Sequence, residues 1–267
     1  MTSVLCQRRR TLVLIHMSTS RVVFLPGTVL PAELAYGGLL QALGPVVDAL
    51  PLDLAVYDGE SPSVDYSLDT EVKSITQAVD ARGWGRFDLV GYSGGGSVAL
   101  AFVARYPDRL STLTLLEPAW AGDWGWSAKH AALWAKYDQL AALPTDEFMT
   151  AFMRLNVLPG TSLPTPPPGP PPDWMAKRPA GIQALMRTFK TYQLNRSALT
   201  NFTGPVLFVL GGRSNPDQYR EIADRLNTVF QDFTVTVYPT RHHFDPPHRG
   251  EPKQLSKSLV ELWARGA

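Results

Sequence analysis

The residues best suited to chemistry are Gly91-Tyr92-Ser93-Gly94-Gly95, a G-x-S-x-G pattern between the apolar run Phe87–Val90 and a stretch carrying Val98, Leu100 and Phe102. A strand before the serine and a helix after it would hold the hydroxyl on a sharp turn, in a strained backbone that glycine neighbours leave room for. The helix N-terminus behind the turn would favour negative charge developing there. A glycine-rich loop with Ser93 as a mere helix cap would carry the same five residues. The strand and helix on either side favour a nucleophile instead.

A serine hydroxyl needs a base, and the chain has five histidines. His16 falls in an expected strand and His130 in an expected helical insertion. The remaining three lie in Arg241-His242-His243-Phe244-Asp245-Pro246-Pro247-His248. This cluster follows the last apolar run of the chain, so it shares a sheet edge with Ser93. On spacing alone His242, His243 and His248 all stay open. No carboxylates or thiolates cluster beside them as metal ligands would, and a serine mechanism calls for neither metal nor cofactor.

The elements that must position these groups follow from hydrophobic periodicity. Short apolar runs predict strands at Val22–Leu25, Leu52–Tyr57, Phe87–Val90, Leu113–Leu116, Val206–Leu210 and Phe233–Tyr238. Helical spacing predicts helices at Pro31–Leu43, Ser67–Arg82, Gly95–Tyr106, Pro216–Asn227 and Glu251–Trp263. The alternation implies an α/β fold with a mostly parallel central sheet and helices on both faces.

Between Glu117 and Thr203 the alternation stops. Five of the seven tryptophans fall there, and eight of the 23 prolines crowd into Pro159–Pro172. We expect residues 118–203 to be an inserted α-helical cap with a proline-rich surface loop, and residues 1–117 and 204–267 to form the core. Its Trp, Phe, Leu and Met content, including Phe148, Met149, Phe152 and Met153, suits an apolar pocket.

Composition excludes several function classes. Of 267 residues, 45% are hydrophobic, enough for a sizeable core, which excludes wholesale disorder. Charges are balanced at 25 basic to 24 acidic, a net charge of +1, so no field draws nucleic acid. The single Cys6 cannot form an internal disulfide. No apolar run reaches the roughly 18 residues of a membrane span. Arg8-Arg9-Arg10 with Thr11–Ile15 only faintly resembles a signal peptide and reads better as a basic turn between strands Ser3–Cys6 and Leu12–Ile15. Met1 and Met17 both fit as a start, and a cytoplasmic protein is expected. A low-charge surface would permit a homodimer.

With these residues in view, the chain resembles the α/β-hydrolase superfamily over nearly its whole length. In that family the last strand runs into Pro-x-x-Gly-His-Phe, and Pro239-Thr240-Arg241-His242-His243-Phe244 matches it with His242 in place of the glycine. The resemblance therefore implies His243 as the base. It also implies the amides of Gly94 and Thr28 as oxyanion donors, although Pro26-Gly27-Thr28 has a proline where histidine usually stands. The family's usual acid follows the strand at Val206–Leu210, where Gly211-Gly212-Arg213-Ser214 offers only a serine. Ser214 is expected to cap the next helix instead. A branch of the family that includes some haloalkane dehalogenases carries its acid one strand after the nucleophile, which here is Glu117. Asp217 and Asp245 are the alternatives.

The implied activity is a serine hydrolase cleaving a carboxylic ester, lactone or thioester of a small apolar substrate through an acyl-enzyme. Two other readings stand beside it: a ligand-binding protein on a hydrolase scaffold with little turnover, and an enzyme of the same fold doing acyl transfer, carbon–carbon cleavage or elimination.

Overall fold

Val22 and Phe24 point to one side of their strand and Val23 and Leu25 to the other, all four fully buried. That double burial is what a strand covered by helices on both faces requires. In a computed structural model, which describes residues 19–165 and 169–266, this strand is β1 (Ser20–Leu25) of a six-stranded sheet. The others are β2 (Val47–Pro51), β3 (Phe87–Tyr92), β4 (Leu110–Leu116), β5 (Val206–Gly211) and β6 (Phe233–Tyr238). Their order is β2-β1-β3-β4-β5-β6 and every pairing is parallel. The expected Ser3–Cys6 and Leu12–Ile15 strands, Cys6, the Arg8–Arg10 turn and His16 lie outside the described residues.

One sheet face packs α1 (Ala32–Leu43) and α10 (Pro252–Gly266) through Tyr36, Leu39, Leu255 and Leu259. The other packs α2 (Leu68–Ala81), α3 (Gly94–Arg105) and α8 (Pro216–Leu226) through Val72, Ile75, Phe102 and Ile222. Five of the six expected strands match within a few residues. The exception is Leu52–Tyr57. The strand there is Val47–Pro51, and Ala55–Tyr57 is a 3₁₀ turn. The cause is the buried carboxylate of Glu71, which accepts the amides of Ala55 at 2.8 Å and Val56 at 3.0 Å. Those amides are thereby withdrawn from any ladder. Edge strand β2 can afford Pro51 at its end, where no ladder donor is needed.

Between β4 and β5 the described residues form α4 (Ala128–Gln139), α5 (Thr145–Leu155), α6 (Arg178–Thr191) and the short α7 (Arg196–Leu199). Leu133, Tyr137, Phe148, Phe152 and Ile182 cluster with Phe244, which belongs to the loop after β6. Helices from the insertion thus rest on the carboxyl edge of the sheet. Short α9 (Pro247–Gly250) precedes α10.

Candidate active site

In parallel α/β sheets the strand carboxyl ends form the crevice where ligands sit. Ser93 follows β3, Glu117 follows β4, and His243 and Thr28 lie beyond β6 and β1 at that same edge. Ser93 adopts φ 53° and ψ −117°, a backbone region that costs a side-chain-bearing residue roughly 1–3 kcal/mol. Its surroundings hold it there. The Ser93 amide donates to Leu116 O at 3.0 Å, and Ser93 O accepts from the amides of Gly96 and Ala119, each at 3.0 Å. Gly91 and Gly95 make the crossing of strand and helix sterically feasible. A Cβ on Gly91 would lie 2.5 Å from Gly95 O, and one on Gly95 would strike the Leu25–Pro26 backbone.

The Ser93 hydroxyl lies 3.0 Å from His243 Nε2, and His243 Nδ1 lies 2.9 Å from Glu117 Oε2. An ionised carboxylate only accepts, so Nδ1 carries the proton and Nε2 is free to accept from Ser93. All three side chains are buried. Glu117 also has positive φ, 47°, which turns its carboxylate off the end of β4 toward β5. There its second oxygen accepts the Gly211 amide at 2.7 Å.

The other carboxylates considered lie elsewhere. Neither carboxylate hydrogen-bonds His243 among the described residues: Asp245 pairs with Arg241 at 2.6 Å, and at Asp217 it is the backbone carbonyl that meets His130 Nδ1, at 2.8 Å. Ser214 does not cap α8. Asn215 does, accepting the Asp217 amide at 3.1 Å, while the buried Ser214 hydroxyl has no partner. His242 and His248 are buried as well. His242 Nδ1 accepts the Phe244 amide at 3.2 Å, and burial holds its pKa below the usual histidine range. His248 is wholly enclosed against Tyr36 and Tyr92, and burial pushes its pKa down to about 3.

Neither the Gly94 nor the Thr28 amide donates a hydrogen bond among the described residues. The two residues are adjacent, since a Cβ on Gly94 would stand 2.8 Å from the Thr28 methyl. Thr28 O accepts from Tyr57 at 2.8 Å, and the Arg178 guanidinium lies 4.0 Å over the Tyr57 ring. The loop after β1 is thereby tied to α6.

Two aromatic groups that sequence reasoning missed frame the imidazole. Tyr219 stacks flat on His243, 4.6 Å between centroids and 13° between planes, and donates to Asn156 Oδ1. Tyr92 donates to the His243 carbonyl. Burial raises both phenols well above their ordinary pKa, so both stay neutral donors. Tyr92 sits inside the G-x-S-x-G run and could have been noticed. No sequence signal distinguishes Tyr219 from any other core residue of an amphipathic helix.

Above Ser93 the space is lined by Trp134, Ile182, Leu185, Met186 and Phe189 of the insertion, with Thr28 and Gln218 from the core. It measures about 30 Å³, where a single water needs roughly 10–15 Å³. Among the described residues no group of three or more His, Cys, Asp or Glu could hold a metal, and no helix is long and apolar enough to cross a membrane.

A parallel sheet with a strained serine at the end of one strand and an imidazole and carboxylate converging on it defines the hydrolase class of α/β protein. The model of the alpha/beta hydrolase family matches residues 22–257, and the chain belongs to that family. Over 72 residues it is 40% identical to monoacylglycerol lipase abhd6-A of Xenopus laevis, a match covering 26% of this chain and 21% of that protein. Over 66 residues it is 38% identical to lipase LipV of Mycobacterium tuberculosis, covering 24% and 25% respectively. The matches thus span about a quarter or less of these relatives. Among solved structures, a bacterial membrane phospholipase A superposes with a TM-score of 0.72 at 16% identity, over 93% of this chain and 79% of that one. Carboxylesterase CesB of Bacillus subtilis gives 0.62 at 13% identity, over 91% and 83%. At such identity the likeness is one of fold.

Proposed function

We propose that the protein is a serine hydrolase cleaving carboxylic esters, lactones or thioesters of small apolar substrates. The observation that carries this reading is the continuous chain of contacts from Glu117 through His243 to Ser93. His243 Nε2 takes the Ser93 proton as Oγ bonds to the acyl carbon. The tetrahedral oxyanion is held by the Gly94 and Thr28 amides, and Glu117 stabilises the imidazolium. Collapse expels the alcohol or thiol, which leaves with the proton from His243. A water then gives a proton to the same nitrogen and attacks the acyl-enzyme, releasing the acid and restoring Ser93.

The helices between residues 118 and 203 act as the cap, and their apolar side chains select the substrate. The narrow space above Ser93 favours short acyl or alcohol groups, and larger ones require Ile182, Leu185 or Met186 to move. The named lipases among the similar sequences agree with ester chemistry.

The test is turnover of p-nitrophenyl esters with covalent fluorophosphonate labelling. Wild type is expected to turn over and to label at Ser93, and Ser93→Ala to do neither. Folded wild-type protein that neither labels nor hydrolyses any ester would overturn the proposal, and highest rates on charged substrates would overturn the apolar pocket.

A further inference from the structure

The space above Ser93 is small, yet two larger hollows lie beside one another, one of them bordered by the loop after β1. One, of about 440 Å³, is lined by Val29, Leu30, Met149, Met153, Met175 and Phe244. The other, of about 540 Å³, is lined by Arg213, His242, Thr161 and Thr240. Pro164, Phe244 and Arg249 border both, so the two form one cleft with an apolar limb and a cationic limb. Ser93 lines neither. Each limb falls within the roughly 300–1,000 Å³ of ordinary small-ligand sites.

The cationic limb holds groups without partners. Neither Arg213 nor Arg249 makes an ion pair or a side-chain hydrogen bond among the described residues. The carboxylate lining this limb, Asp245, is taken by Arg241 at 2.6 Å. His242 Nδ1 accepts the Phe244 amide, which leaves Nε2–H as a donor. The Thr161 hydroxyl is buried, 2% of the residue being exposed, and has no partner. A buried hydroxyl left unpaired is costly, and an oxygen-rich ligand would relieve it. The backbone presenting Arg213 is held from two sides, its amide donating to Arg241 O and its carbonyl accepting from Leu158, each at 2.9 Å.

The apolar limb is of the opposite character. Three methionines from α5 and from the turn at Asp173–Lys177 face Val29 and Leu30. Such unbranched thioethers adapt to a flexible chain better than to a rigid ring. We propose that this cleft is a second binding site, separate from Ser93, for a straight-chain alkyl anion. The chain lies along Met149, Met153 and Met175, and the anionic head meets Arg213, Arg249 and His242. Guanidinium pairs of this kind suit carboxylate and phosphate heads alike. The inference does not depend on Ser93 being reactive.

The test is calorimetric titration of the full-length Ser93→Ala protein with dodecanoate, with dodecyl phosphate and dodecanol as parallel arms. At least one anion is expected to bind about tenfold more tightly than the alcohol, and its head then identifies the class recognised. Replacing both exposed arginines (Arg213→Gln with Arg249→Gln) should remove that advantage, whereas Met153→Gln should weaken all three ligands. Met186→Trp, which fills the space above Ser93, should leave anion binding unchanged, and thermal melts confirm that each variant is folded. Anion affinity that is unaltered by the arginine changes, lost in Met186→Trp, or absent in the parent would overturn the proposal.

Discussion

Glu117 and Gly211 are joined across 94 positions of sequence, the Gly211 amide donating to Oε1 at 2.7 Å while Oε2 faces His243 Nδ1 at 2.9 Å. The carboxylate leaves β4 but is anchored at the end of β5, the strand from which an acid would otherwise come. Two charge-assisted hydrogen bonds fix its orientation in a buried site, where a misdirected carboxylate would be costly to keep.

Glu117→Gln keeps the shape but removes the charge that stabilises an imidazolium. Turnover of a p-nitrophenyl ester is expected to fall about 10²–10⁴-fold in kcat, with KM changed little. Asp217→Asn and Asp245→Asn, whose carboxylates make no hydrogen bond to His243 among the described residues, should stay near wild type. Steady-state kinetics on the three variants decides the assignment, and full activity in Glu117→Gln would remove it.

The proposed oxyanion donors, the Gly94 and Thr28 amides, can be separated from their side chains. Thr28→Val retains the backbone amide and is expected to keep most activity. A Cβ at Gly94 meets the Thr28 methyl at 2.8 Å, so Gly94→Ala should part the two amides. A kcat loss of about 10²-fold is expected, comparable to removal of one oxyanion donor.

Tyr219 lies parallel to the His243 ring and is tied to Asn156. Tyr219→Phe keeps the stacked surface and should retain most of kcat. Tyr219→Leu leaves the imidazole free to tilt, and a kcat loss of about tenfold is expected with KM nearly constant. Equal kcat in both variants would deny Tyr219 a positioning role.

The space above Ser93 should set chain-length preference. Leu185→Ala opens it, so kcat/KM for octanoate esters should rise relative to acetate esters, at a stability cost of about 2–5 kcal/mol. An unchanged ratio would mean that Leu185 does not limit acyl length.

His248 makes stability depend on acid. Its pKa, about 3, lies below the roughly 6.5 of an unfolded histidine, chiefly through burial and then through the charges of Arg249 and His243. Between those values the unfolded chain binds a proton that the folded protein refuses. Its contribution is therefore full above about pH 6.5 and declines as pH falls toward 3. In His248→Phe the fall in denaturation midpoint from pH 7 to pH 4 should be shallower than in wild type, as measured by urea titration.

Much of this was legible in the sequence, because strand burial and helix amphipathicity leave periodic traces within a dozen residues. The order of strands and helices, the serine between strand and helix, and the histidine-bearing loop after β6 all have local signatures. Leu52–Tyr57 misled because the group that bends it, Glu71, belongs to α2 and captures its amides only once the chain has folded. Ser214 and Asn215 were confused for a related reason, since which neighbour caps a helix depends on a backbone turn that adjacent polar residues could equally supply.

Sequence by itself determined five of the six strands, the strand–turn–helix around Ser93 and a short set of acids and bases. Only the tertiary structure decided which carboxylate reaches His243, that Tyr219 stacks against it, that His248 is enclosed, and that Arg213 and Arg249 border one cleft. These are juxtapositions of side chains from distant segments. No interval of sequence encodes them, because they follow from the order and register in which the strands assemble.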